Sequence, residues 1–212
     1  MLCLTVPTDP AWAQAALGDL DAILADHAHC EMKAASNALS LAARHPDVPS
    51  IVFALTDLAR EEIAHFQEVL VWLGKRNIVL GPPPKDLYAL ALRRARGELG
   101  PTTLPPLVDR LLVAALIEAR SCERFRVLAR ALTGESFAEL RAFYERLLKA
   151  EARHYGTFVE LAVTAAGDAS AEVEPRLREL AALEGVIVTR LAREESRGGI
   201  SAAPPARATV HG

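Results

Sequence analysis

Two Glu-x-x-His pairs, Glu62/His65 and Glu151/His154, carry the chemistry that can be read from this chain. Residues three apart on a helix point the same way, so each pair offers a carboxylate and an imidazole to one point in space. Each pair also lies on an otherwise apolar stripe. The first runs Ile51, Leu55, Leu58, Glu62, His65, Val69, Trp72, and the second Leu140, Tyr144, Leu147, Glu151, His154, Phe158, Leu161. An isolated carboxylate in a core costs several kcal/mol. Divalent metal ions are the economical way to offset that cost.

A binuclear site of this kind needs one more Glu from the helix preceding each pair. On the first helix, Glu31 is the acidic member of a stripe of Leu17, Leu20, Leu24, Ala35 and Ala38. Before the second pair, Glu118 plays that part among Leu107, Leu111, Ala114, Cys122, Phe125 and Ala129. Glu31 precedes Glu62 by 31 residues and Glu118 precedes Glu151 by 33, so the two halves are nearly equivalent. Four carboxylates cancel two divalent cations, and two neutral imidazoles complete the ligand set. Such an oxygen-rich set suits iron or manganese better than a closed zinc site. Left without metal, six buried polar groups at a few kcal/mol each would exceed the ~5–15 kcal/mol net stability of a domain.

Other residues compete for attention. Glu123 rivals Glu118, but it shares a face with Arg120, Arg126 and Arg130 that reads as solvated. Glu61 shares its polar side with Asp57 and Glu68. His27, four residues before Glu31, reads as a satisfied core histidine, with a donor to Glu31 as the alternative. Cys30 and Cys122 read as small packing residues and Tyr155 as structural. Glu184 lies near the stripe Leu177, Leu180, Ile187, Leu191 and is left open between site and solvent.

The elements that must position these residues are helical. The chain has 212 residues, 51% hydrophobic and 24% charged, with Ala, Leu, Glu and Arg dominating its long segments. A first helix is expected from Pro10–Trp12 to Arg44, capped by Thr8 or Asp9, and a second from Pro49 to Gly74. After the stop at Gly81-Pro82-Pro83-Pro84, a shorter helix spans Lys85 to Glu98. A third runs from Leu104 to Leu132, a fourth from Ser136 to Ala166 behind a Ser136-x-x-Glu139 capping box, and a fifth from Ala171 to Glu195. Two helical hairpins joined by a long crossover are the outline of an all-α, ferritin-like four-helix bundle with an additional C-terminal helix. The expected organisation is a single domain over 1–197 and a flexible tail over 198–212.

The formal charge of -3 gives no global signature of a nucleic-acid binder. Three cysteines, Cys3, Cys30 and Cys122, form neither a disulfide framework nor a zinc ribbon, which fits a reducing cytoplasm. No signal peptide and no uninterrupted eighteen-residue apolar run is found, so no membrane association is expected.

The blocks HCEMKAA from His29, EEIAHF from Glu61, IEARSCERF from Ile117 and EARHYGTF from Glu151 resemble those of the tRNA hydroxylase MiaE family, over roughly residues 10–195. The resemblance implies a ferritin-like non-haem di-iron monooxygenase that hydroxylates the isopentenyl group of 2-methylthio-N6-isopentenyladenosine beside the tRNA anticodon. It implies Glu31, Glu62, His65, Glu118, Glu151 and His154 as ligands of two iron ions, with dioxygen as co-substrate. With no G-x-G-x-x-G fingerprint in the chain, electrons are expected from a separate reductase or electron-transfer protein. Phosphate contacts are sought among Lys75, Arg76 and Lys85, among Arg93, Arg94 and Arg96, and among Arg120, Arg124 and Arg126. The protein is expected as a monomer or small homo-oligomer. The competing readings are a ferritin-like iron-oxidising or storage protein and a di-iron oxidase of small molecules.

Overall fold

A computed structural model describes residues 2–198, which group into two compact units, 18–85 and 2–17 with 86–198. Among the described residues there is no β-strand.

The 18–85 unit is a hairpin of α2 (Leu20–Arg44) and α3 (Pro49–Lys75). His45 caps the end of α2, and Pro49 opens α3 at a position where its missing N–H costs nothing. Of the expected stripe on α3, Ile51, Leu55, Leu58, Glu62 and Val69 are buried, His65 and Trp72 are half-buried, and Leu73 rather than Trp72 completes the buried face.

The continuous first helix expected from Pro10 to Arg44 is instead two. α1 (Pro10–Gly18) stops, and α2 starts afresh at Leu20. Asp19 between them is non-helical, and its carboxylate accepts a hydrogen bond from the Ala22 N–H (3.1 Å). A glycine followed by a good N-cap residue favours a restart over continuation, which the apolar periodicity alone does not register. At the start of α1 it is Asp9 that caps, accepting from Ala11 N–H (2.8 Å).

In the second unit, α4 (Leu87–Arg96) is capped by Asp86, which accepts from Ala89 N–H (2.9 Å). α5 (Pro106–Ala131) and α6 (Ala138–Ala166) form the second long hairpin. The turn between them uses Gly134 at φ +89°, a backbone region that side chains avoid. Ser136 does not build the expected capping box. It sits in a 3-10 turn, Glu135–Phe137, and α6 begins after Phe137 with no side-chain cap. A second 3-10 segment, Gly167–Glu172, leads into α7 (Val173–Gly198). The expected tail, apart from Gly198, lies outside the described residues.

α5 is buried nearly all round. Val108, Leu112, Ala115, Ala119, Arg120, Glu123 and Arg124 are inside as well as the stripe through Leu111, Ala114 and Glu118. The solvated face expected for Arg120 and Glu123 is therefore wrong. That side of the helix packs against α7, α4 and the N-terminal segment of the same unit. The segment is stitched on by Thr5, whose hydroxyl donates to the Ala181 carbonyl (3.2 Å). Gly185 permits the approach, since a Cβ there would lie 2.6 Å from the Thr5 hydroxyl oxygen. No helix is long and apolar enough to cross a membrane among the described residues.

Candidate metal centre

Each hairpin gathers its own three donors. In the α2/α3 hairpin, Glu31, Glu62 and His65 each bring one donor atom within 4.8 Å of the others. His65 Nδ1 lies 3.6 Å from Glu31 Oε2 and 3.7 Å from Glu62 Oε2. In the α5/α6 hairpin, Glu118, Glu151 and His154 do the same, with His154 Nδ1 3.8 Å from Glu151 Oε2. These separations exceed a hydrogen bond. They are the spacing of donors that face a common point, as ligands about 2.0–2.2 Å from one ion would.

Burial sharpens the case. The four carboxylates and His154 are 1–5% exposed, while the His65 side chain keeps 12%. Acidic groups this deep need a counter-charge. The donor set in each hairpin, two carboxylate groups and one imidazole, fits an iron or manganese ion. All six residues singled out in the sequence are therefore members of one triad or the other, five of them buried and His65 half-buried.

The residues set aside fall elsewhere. Glu123 accepts from the N–H and hydroxyl of Thr8 (3.0 and 2.7 Å) and from Arg120. Glu184 is fully buried and takes two hydrogen bonds from Arg120, both 2.9 Å, and one from the Tyr88 hydroxyl at 3.0 Å. Arg120 also reaches the Thr8 hydroxyl and the Val6 carbonyl, so its whole donor fork is engaged. Burial disfavours its charge, but Glu184 and then Tyr88 and Glu123 outweigh that and hold the guanidinium above its ordinary range. Burial likewise drives the Tyr88 hydroxyl well up, with Glu184 adding to it. This network ties α4, α5, α7 and the N-terminal segment together.

Arg120 and Arg124 are thus corrected as phosphate contacts. Both are buried, and Arg124 stacks over the Trp12 ring at 5.2 Å. The missed signal was the run of apolar residues from Leu111 to Ile117, which covers every side of a helix and leaves no face for solvent. Lys75, Arg76, Lys85, Arg93 and Arg94 are exposed, with Lys75 over the Trp72 ring (4.3 Å) and Arg76 paired with Asp21.

The cysteines behave as packing residues. Burial, with the Glu151 charge adding, pushes the Cys122 thiol up to about 11, so it stays protonated at neutral pH. It donates to the Leu148 carbonyl (3.6 Å), and Cys30 donates to Asp26 (3.7 Å). Tyr155 is hydrogen-bonded to Cys3. His27 is a buried, hydrogen-bonded core histidine and also the neighbour of Glu31 that the alternative reading named. Its Nε2 lies 2.6 Å from Glu31 Oε1, with the ring fully buried.

The family model described as tRNA-(MS[2]IO[6]A)-hydroxylase (MiaE) matches residues 1–197. The chain belongs to the MiaE family. A relative from Pseudomonas putida, named tRNA 2-(methylsulfanyl)-N(6)-isopentenyladenosine(37) hydroxylase, is 45% identical over 159 residues, 75% of this chain and 74% of that protein. A protein of the same name from Salmonella typhimurium is 29% identical over 240 aligned positions, 90% of this chain and 85% of the other. Among solved structures, this MiaE-family chain is similar to Protein 43 with aldehyde deformylating oxygenase activity from Synechococcus. The TM-score is 0.78 at 32% identity, over 100% of this chain and 96% of that one. The ferritin-like, all-α fold class expected from the two hairpins is thereby the class of this MiaE-family protein.

Proposed function

We propose that this protein is a dioxygen-dependent di-iron hydroxylase of the isopentenyl group of 2-methylthio-N6-isopentenyladenosine in tRNA. Glu31, Glu62, His65, Glu118, Glu151 and His154 serve as the ligands of its two iron ions. The observation that carries the reading is the doubled triad of buried carboxylates and imidazole, in a chain matched by the MiaE family model over 1–197. Both curated relatives are named for this hydroxylation.

Iron bound by these residues supplies dioxygen activation towards an unactivated C–H bond. One oxygen atom enters that bond and the other leaves as water, which consumes two electrons and two protons. The electrons come from a separate donor protein, because the chain carries no dinucleotide fingerprint. The protein's own tasks are to keep the ligands dry and to hold the prenyl group beside them. Leu58, Val69, Leu147 and Phe158, buried on the same stripes as the ligands, supply the apolar lining of the ligand side of each hairpin. The anticodon-loop base is single-stranded and can be splayed out at modest cost. With Arg120 and Arg124 buried, the candidate phosphate contacts are Arg93, Arg94 and Arg96 at the end of α4, Lys75, Arg76 and Lys85, and the half-exposed Arg126. A tRNA substrate and cysteines outside any disulfide among the described residues suit the cytoplasm.

The likeness to an aldehyde deformylating oxygenase favours a second reading, a di-iron oxidase of a small molecule. Mass spectrometry of tRNA nucleosides from a strain lacking the gene separates the two. The expected result is accumulation of the unhydroxylated prenyl nucleoside. Unchanged levels of the hydroxylated nucleoside would reject the tRNA reading.

A further inference from the structure

The two hairpins present equivalent candidate ligands, but only the first places an imidazole one turn before its leading Glu. Glu31 has an imidazole fastened to it from its own helix, because His27 lies one turn earlier and its Nε2 is 2.6 Å from Oε1. Both partners are buried, His27 fully and Glu31 to 5%. A carboxylate only accepts, so the ring N–H donates. The second oxygen, Oε2, is the one turned towards His65 Nδ1, at 3.6 Å. One oxygen of Glu31 is therefore engaged by the protein and the other faces the donor triad.

The corresponding position before Glu118 is Ala114, whose side chain offers no donor. One turn after Glu118 stands Cys122, and its thiol is directed to the Leu148 carbonyl. No comparable imidazole sits one turn before the remaining two carboxylates either, since Leu58 precedes Glu62 and Leu147 precedes Glu151. The asymmetry belongs to α2.

We propose that His27 is a positioning residue for the metal centre. It holds Glu31 Oε1 and so restricts Glu31 to presenting Oε2 at the metal position it serves. The proposal rests on the reading of Glu31 as a ligand. A carboxylate with one oxygen held cannot swing to bind through both without breaking that hydrogen bond. Groups that orient a ligand are worth roughly 10–100-fold in metal affinity.

The test is anaerobic titration of the metal-free full-length protein with Fe(II) against a chromophoric chelator, alongside thermal unfolding by circular dichroism. In His27→Ala, one of two equivalents is expected to bind about 10–100-fold more weakly, with the other unchanged. His27→Gln, whose amide can still donate to Oε1, is expected to recover most of the loss, and the shorter His27→Asn is not. His29→Ala is the control. It removes another buried ring from α2, one whose nitrogens hydrogen-bond to nothing among the described residues. Its unfolding temperature is expected to fall while both affinities hold. If H27A keeps both affinities within about twofold, or H29A loses as much as H27A, the role of His27 is overturned. If H27A does not fold, the contrast between H27Q and H27N decides in the same way. Failure of the unaltered protein to take up two equivalents would instead overturn the reading of the centre itself.

Discussion

The α2/α3 and α5/α6 hairpins carry the same Glu, Glu-x-x-His triad in different surroundings. In α2/α3 the candidate donors line one side and the outer side of α3 is open, with Phe53, Ile63, Leu70 and Val71 exposed. Arg76–Asp21 and Arg60–Asp57, two ion pairs of this hairpin outside the triad, lie at the surface. In α5/α6 the ligand-bearing α5 is buried on its other sides too, around the Arg120, Glu123, Glu184 and Tyr88 network. The triads are alike in donor type, as two equivalent metal positions would require. The surroundings differ because only the second hairpin is overlaid, within its own unit, by α4, α7 and the N-terminal segment.

The equivalence of the triads can be broken most directly at their carboxylates. Glu62→Gln and Glu151→Gln are each expected to lower hydroxylation by on the order of 10³-fold, with matching loss of iron per chain. Each should also raise the unfolding temperature of the metal-free protein, because a buried negative charge is removed. A variant in one hairpin that still loads both irons would show that the two triads do different jobs.

The contrast in charge networks is tested by Arg120→Met against Arg76→Ala. The first strands Glu184 and Glu123 in the core and is expected to cost about 3–5 kcal/mol in chemical denaturation. The second breaks a pair whose members are 39% and 52% exposed, and is expected to cost no more than ~1 kcal/mol. Equal costs would mean that the buried network contributes nothing beyond a surface pair.

Gly185→Ala probes how firmly the N-terminal segment is seated. The added methyl group would meet Thr5 and Val6 at 2.6 and 2.8 Å, and a loss of about 1–3 kcal/mol is expected. A neutral result would show that the segment shifts freely. The smallest effect is expected at the surface. Arg93→Ala and Arg94→Ala should each weaken tRNA binding modestly and reduce the steepness of its salt dependence by about one phosphate contact. An unchanged salt slope would remove α4 from the RNA-binding surface.

Much of this was legible in residue order. Glu62, His65, Glu151 and His154 stood out because they interrupt apolar stripes, and an ionisable side chain on such a stripe must have a chemical reason to be there. Glu31 and Glu118 followed from the same logic. The role of Arg120 was not legible. A helical wheel shows that Arg120, Glu123 and Arg126 share a side, but it does not show whether a neighbouring element covers that side. His27 was ambiguous for a related reason. Spacing of four puts it beside Glu31, and only side-chain geometry shows the ring nitrogen meeting Oε1. The restart at Asp19 was missed because capping is a local hydrogen bond that competes with a pattern read over many residues.

By itself the sequence determined most of the helices, their apolar faces and the six candidate donors, since periodicity and the cost of burying charge are properties of residue order. Tertiary structure alone decided which charged side chains become core. Arg120 and Glu184 lie 64 positions apart, and only the packing of α5 against α7 brings them together and excludes water, so that two ordinary surface residues become a buried pair.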